Sequence, residues 1–185
     1  MDFYGFYTGK IFDAYEYLGA HRQENGITFR TFAPGAEKVS LIGEFNGWQE
    51  WTMNKAYDGN FWEIHAEGAK EGEMYKYRIY PRNGQWIEHC DPYGFGMELR
   101  PDTASFIRDM DGFVFTDEAW MQSRSDCKNK PLNIYEAHLG SFRKPSGKAD
   151  AWYNYMEMSE ILIPYLKEKG YNYLEVMPLN EYPSD

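Results

Sequence analysis

Four apolar runs of strand length, each cut off by glycine or proline, constrain this chain more than any other feature. They lie at 27 to 32, 39 to 45, 61 to 65 and 74 to 80. Val39, Leu41 and Phe45 share one parity, and Tyr75, Tyr77 and Ile79 share another, which leaves Lys76 with Arg78 on the opposite face. A period of two marks a strand with one buried face. Asn25-Gly26, Ala33-Pro34-Gly35, Gly72 and Pro81 supply the breaks. Strand signals at this spacing predict a small antiparallel sandwich.

Two of the breaks carry tryptophan. Gly43-Glu44-Phe45-Asn46-Gly47-Trp48 ends the second run, and Asn-Gly is a strong turn signal because both residues tolerate positive φ. Trp48 therefore stands just past a strand end on a tight turn, either as a lid on the core or as an exposed stacking surface. Asn83-Gly84-Gln85-Trp86 follows the fourth run and reads as a hairpin with an aromatic beside its loop. Phe61 and Trp62 are expected in the core or in packing between domains. Trp51 is a weaker contact candidate.

The pattern changes along the chain. Residues 1 to 17 are aromatic and mixed in charge, either a short helix or an arm that packs on a neighbour. Asp91-Pro92-Tyr93-Gly94-Phe95-Gly96 is loop chemistry without the third glycine of a dinucleotide site. Ser105-Phe106-Ile107 and Phe113-Val114-Phe115 are candidate closing strands. The polar stretch 116–130 marks a domain boundary, with Trp120 as its exception. Leu132 to His138 is then a strand, followed by the loop Lys144-Pro145-Ser146-Gly147-Lys148. Asn154 and Glu157 have capping-box spacing, and Met158, Ile161, Leu162, Tyr165 and Leu166 form a helical stripe that ends before Gly170. Pro164 is expected to kink or split this helix. Tyr173 to Pro178 is the next strand. Strand, helix, strand is one βαβ unit, which implies a parallel sheet.

Composition narrows function by exclusion. The net charge of −10, without a basic cluster, argues against nucleic acid as a partner. No segment is apolar enough to span a bilayer, and no secretory leader is recognisable. Cys90 and Cys127 lack metal-type spacing and read as reduced thiols of a cytoplasmic protein. His21, His65 and His89 show no metal spacing, so no metal site is expected. The aromatic share of 18% is high and suits a β-rich fold, an aromatic binding surface, or both.

Several separated motifs, in order, resemble one family. Tyr17-Leu18-Gly19-Ala20-His21, Phe29-Arg30-Thr31-Phe32-Ala33-Pro34, Gly43-Glu44-Phe45-Asn46-Gly47-Trp48, Tyr75-Lys76-Tyr77-Arg78-Ile79 and Asp91-Pro92-Tyr93 resemble the N-terminal region of 1,4-α-glucan (glycogen) branching enzymes. Ile134-Tyr135-Glu136-Ala137-His138-Leu139-Gly140-Ser141-Phe142 resembles the first strand of their catalytic barrel, and Gly170-Tyr171 through Pro178-Leu179-Asn180-Glu181-Tyr182-Pro183 the second. The resemblance implies a mainly β fold class: an immunoglobulin-like β-sandwich followed by the first βαβ unit of a (β/α)8 barrel. The implied division is an arm at 1–17, a family 48 carbohydrate-binding module at 18–115, a linker at 116–130, and the start of a glycoside hydrolase family 13 barrel at 131–185.

The same resemblance implies a reaction that breaks an α-1,4 link and rejoins the freed chain as an α-1,6 branch, through a covalent glycosyl-enzyme with no cofactor. The family's Asp nucleophile and Glu acid/base sit on later barrel strands, so none of the acidic residues here takes a catalytic role. The implied partner is α-1,4-glucan, as glycogen or maltooligosaccharides. Its implied contacts are Trp48 and Trp86 as a stacking platform and Lys76 as a hydrogen-bond donor; core packing and a plain solvated strand face are the alternatives. Glu136 and His138 read as structural. Other readings are a debranching or trehalose-forming hydrolase with the same module, and a stand-alone glucan-binding module.

Overall fold

The computed structural model describes residues 1–99, 101–110, 112–147 and 151–179. Lys148 of the expected loop and the Asn180-Glu181-Tyr182-Pro183 motif lie outside the described residues. The chain forms two compact units, Met1–Val114 and Phe115–Asp185.

The first unit begins with a short helix α1 (Phe3–Tyr7), capped by the Asp2 side chain. The strands that follow are β1 (Gly19–Gln23), β2 (Gly26–Phe32), β3 (Ala36–Gly43), β4 (Trp51–Thr52), β5 (Asn54–Ala56), β6 (Phe61–Glu67), β7 (Met74–Pro81), β8 (Ile87–His89) and β9 (Ser105–Phe106). One antiparallel sheet has the order β1-β2-β6-β5, and the other β4-β3-β7-β8, with β9 also on β7. Tyr75 pairs with Gly43 on one side and Ser105 on the other, so β8 and β9 share one edge of β7.

The inner faces meet as period-two patterning requires. Ile27, Phe29, Trp62 and Ala66 of the first sheet pack with Val39, Leu41, Tyr75 and Tyr77 of the second. The Phe29 and Tyr75 rings lie edge to face at 4.8 Å. Phe61 and Trp62 are both core residues, but in different layers. Trp62 faces inward and donates its indole N–H to the Ala33 carbonyl at 3.1 Å. Phe61 and Phe32 pack with Phe3, Phe6, Leu18 and Tyr17 in a separate cluster. Of the two readings for the N-terminal stretch, the short helix is the one observed, and it packs within its own unit.

A buried polar knot closes this core. Asp91 is 3% exposed, while Tyr75 and Tyr77 are fully buried. Both tyrosine hydroxyls donate to Asp91 Oδ2, at 2.7 and 3.1 Å, and the Tyr93 N–H donates to Oδ1 at 2.9 Å. The Asp91 N–H donates to Ser105 Oγ at 2.8 Å. Burial raises the Asp91 pKa, opposed by the bonds from Tyr75, Tyr93 and Tyr77.

The second unit carries α2 (Glu118–Ser123), a 3-10 turn at Arg124–Asn129, β10 (Ile134–Ala137), α3 (Leu139–Phe142), α4 (Tyr155–Lys169) and β11 (Tyr173–Val176). β10 and β11 pair in parallel, Ile134 opposite Tyr173 and Ala137 opposite Val176. Asn154 and Glu157 form the capping box, and Gly170 ends α4 at φ 79°. Met158, Leu162 and Leu166 bury against Ala137, with Tyr135 beside them.

Three expectations are corrected. β3 stops at Gly43, not Phe45, because residues 44–46 turn into a 3-10 segment. Phe113-Val114-Phe115 forms no strand. α4 is not split at Pro164 but is one helix from Tyr155 to Lys169. Pro164 and Glu160 are both exposed, so the carbonyl deprived of its helical donor lies on the solvated side.

Two outcomes are expected. Asp91→Ala leaves two buried hydroxyls unmatched and should destabilise the fold by about 3 kcal/mol, more than Tyr75→Phe in the same urea titrations; equal, small losses would contradict this role. The β10–β11 pair is short, with Ile134, Tyr173 and Leu174 exposed. Its amides should exchange faster than those of β2, β3, β6 and β7, because a two-stranded sheet is marginal. Equal protection in the two units would refute this.

Candidate functional site

The turn after β3 is built by Asn46. Its Oδ1 accepts the Gly43 N–H at 3.0 Å, and its Nδ2 donates to the Gln49 carbonyl at 2.8 Å. This side chain takes over backbone groups that a continuing strand would pair. The Trp48 N–H donates to the Gly43 carbonyl at 2.8 Å, and the Met74 N–H donates to Glu44 Oε2 at 2.8 Å. Gly43 itself admits no side chain, since a Cβ there would lie 2.7 Å from the Met74 carbonyl oxygen. The turn is thereby anchored to the start of β7. Gly47 and Trp48 are both left-handed, at φ 63° and 61°. A bulky residue in that region is uncommon and marks a position worth testing for function.

Trp48 is 40% exposed and Trp86 is 50% exposed. Neither tryptophan belongs to the buried core cluster. Trp86 immediately precedes β8, which pairs with β7 as the expected hairpin. Lys76 is half-buried and shares a face of β7 with Arg78, opposite the buried Tyr75 and Tyr77. It has no ion-pair partner among the described residues. Trp51 is placed differently: half-buried, opposite Leu41 and packed on Phe45 at 5.8 Å, it belongs to the inner layer.

Beside Trp86 lies a charged network that the sequence reading missed. Glu50 Oε1 accepts Arg78 Nη1 at 2.8 Å and the Tyr80 hydroxyl at 2.6 Å. Its Oε2 accepts Lys38 Nζ at 2.9 Å and Ser40 Oγ at 3.0 Å. Arg78 also donates through Nη2 and Nε to Glu88 Oε1, at 2.7 and 3.2 Å. The Arg78 guanidinium lies over the Trp86 ring, 4.4 Å from its centroid. One hint was available: Lys76 and Arg78 share an outward parity that calls for a counter-charge. Nothing local names Glu50 as that charge, because the pairing runs across β3.

Glu136 is exposed at the β10–β11 pairing, and His138 Nδ1 lies 2.9 Å from Ser141 Oγ, within its own turn. His65 Nδ1 meets Thr28 Oγ1 at 3.1 Å, and His21 Nε2 meets the Leu18 carbonyl at 2.9 Å. Among the described residues no group of His, Cys, Asp and Glu is arranged to hold a metal ion.

The Tyr80 and Lys38 hydrogen bonds hold the Glu50 pKa down to about 2, from an ordinary value of 4.5. A depressed carboxyl contributes stability that is complete above its unfolded pKa and is lost as pH falls through the folded one. The stability advantage of the parent over Glu50→Gln should therefore be constant from pH 7 to about 5 and shrink between about 4.5 and 2. Urea midpoints measured across that range check it; an advantage that persists unchanged at pH 2 would contradict it.

Comparison with known proteins places this geometry. Residues 17–94 match the family model for carbohydrate-binding module 48, the isoamylase N-terminal domain, a span that includes Trp48, Lys76 and Trp86. The whole chain is 41% identical to the 1,4-alpha-glucan branching enzyme GlgB of Fusobacterium nucleatum and 38% identical to that of Bacillus subtilis. It spans about 30% of the length of each. Among solved structures, PulA from Klebsiella pneumoniae in its maltotriose complex aligns over 92% of this chain and 21% of its own, with a TM-score of 0.67 and 19% identity. The catalytic module of the pneumococcal virulence factor SpuA aligns over 92% of this chain and 28% of its own, with a TM-score of 0.66 and 20% identity. At such identities the likeness shows the fold alone, a β-sandwich followed by the first strand-helix-strand unit of a barrel. Residues 17–94 thus match the family 48 carbohydrate-binding module, and the whole chain is similar to a part of the 1,4-alpha-glucan branching enzymes.

Proposed function

We propose that the outer face of the β4-β3-β7-β8 sheet binds linear α-1,4-glucan, as glycogen or maltooligosaccharides, through Trp48 and Trp86 with Lys76 as a hydrogen-bond donor. The observation that carries this reading is that two indoles of the matched module, Trp48 in the turn after β3 and Trp86 just before β8, are exposed. A pyranose has an apolar C–H face that an indole covers, and Lys76 offers donors to hydroxyls. The ligand is neutral, so binding should vary little with salt.

The whole protein, in the same proposal, is a cytoplasmic branching enzyme that transfers an α-1,4-glucan segment to a 6-hydroxyl with retention. Two unpaired cysteines suit that compartment. The sandwich supplies the glucan contact, while the nucleophile and acid/base belong to further barrel strands. The sandwich is of immunoglobulin-like type, and the functional division is an N-terminal arm at 1–17 that carries α1 and packs on its own unit, the module at 18–115, a linker at 116–130 and the barrel start from 131. Within that linker span the chain carries α2 and the 3-10 turn, so its connection is partly helical.

Each stacked ring should contribute about 1 kcal/mol, by analogy with aromatic pairs. Binding should then be weak, with Kd of roughly tens of micromolar to millimolar. Calorimetric titration with maltoheptaose of the parent, Trp48→Ala and Trp86→Ala, with circular dichroism to confirm folding, tests the platform. Loss of affinity in both variants is expected. Parent-like binding by both folded variants would move the platform elsewhere, and a parent that does not bind would make the module an orienting spacer.

A further inference from the structure

We infer that Arg78, held by Glu50 and Glu88, is the residue that positions the Trp86 indole for ligand. The inference rests on the platform reading and adds a device to it.

Four observations converge. The guanidinium is gripped from two sides, by Glu50 through Nη1 and by Glu88 through Nη2 and Nε. Its plane is therefore fixed, as three bonds to a rigid fork require. It lies 4.4 Å from the Trp86 centroid, within cation–π range. Glu50 stands two residues after Trp48 and is itself pinned by Tyr80, Lys38 and the fully buried Ser40.

The consequence is a geometric chain from one indole to the other. The segment that carries Trp48 ends in Glu50, Glu50 fixes Arg78, and Arg78 covers one face of Trp86. The opposite face of Trp86 is left for the sugar. An exposed indole without such a backing samples several rotamers, and ordering it on binding costs affinity. Arg78 meets that ordering cost in the free protein. It touches no ligand itself, so it is a positioning residue. Lysine cannot replace it, because an ammonium cannot hold both carboxylates and lie flat on the ring.

The test is a mutant cycle on the full chain with maltoheptaose as the probe. Arg78→Met should weaken binding about three- to tenfold, and Arg78→Lys should recover only part of that loss. In the Trp86→Ala background, Arg78→Met should cost nothing further, since its effect passes through the ring. The indole N–H cross-peak of Trp86, assigned with Trp86→Phe, should shift and broaden in ligand-free Arg78→Met. Glu88→Gln, which keeps the guanidinium, is the second variant, and it should give a smaller change of the same sign if Arg78→Met does not fold.

Two results overturn the inference: folded Arg78→Met binding like the parent with an unmoved Trp86 signal, or an equal loss with and without Trp86. If the parent fails to bind maltoheptaose, the platform reading fails instead. The Trp86 cross-peak then still decides whether Arg78 orders the ring: an unmoved signal overturns the positioning claim, and a shifted one supports it.

Discussion

The sandwich depends on one buried carboxylate. Asp91 accepts hydrogen bonds from the hydroxyls of Tyr75 and Tyr77, two of the largest side chains of the core, and its own backbone holds Ser105 of β9. An unpaired charge in that position would be costly, so the hydrogen bonds are what allow it there at all. They also fix β7 lengthwise. β7 is the strand on which the proposed binding face is laid out, since its outward positions are Lys76, Arg78 and Tyr80. The inner face of β7 is thus locked by Asp91 while the outer face is locked by Glu50. The two carboxylates respond oppositely to pH. Burial raises the pKa of Asp91, so its contribution favours the fold at low pH, whereas hydrogen bonds lower that of Glu50 and favour the fold at higher pH.

Local patterns in the sequence carry much of this architecture. The alternation in β7 tells inward tyrosines from outward cations, and the spacing of Asn154, Glu157 and Gly170 marks both ends of α4. Where the sequence misleads, a local signal is overruled by something distant or by a side chain. Phe45 has strand parity, but Asn46 binds the backbone of Gly43 and turns the chain before it. Phe113-Val114-Phe115 has strand composition yet stays outside both sheets. Pro164 predicts a kinked or split helix, and α4 is not split there, since the disrupted carbonyl lies toward water.

The site is legible in part for the same reason. Trp48 and Trp86 follow turn residues, and turns lie at the rim of a sheet, so their exposure follows from local chemistry. The role of Glu50 does not. It sits 28 residues from Arg78 and 30 from Tyr80, and the pairing of both β4 and β7 with β3 brings them together. Asp91 is likewise hidden, because Asp-Pro reads as loop and nothing adjacent announces that its side chain turns inward onto two tyrosines 14 and 16 residues away.

The backbone of Trp48 carries an evolutionary consequence. Holding a tryptophan in a left-handed conformation costs about 1 kcal/mol relative to glycine or asparagine. Stability selection at this position therefore favours a small residue, while any use of the ring opposes it. A library of this chain screened for heat resistance alone would be expected to drift toward Trp48→Gly or Trp48→Asn and shed the indole. Screened for retention on starch, it would keep the ring and gather its compensation elsewhere in the turn. The identity found at this one position would then report which pressure had acted.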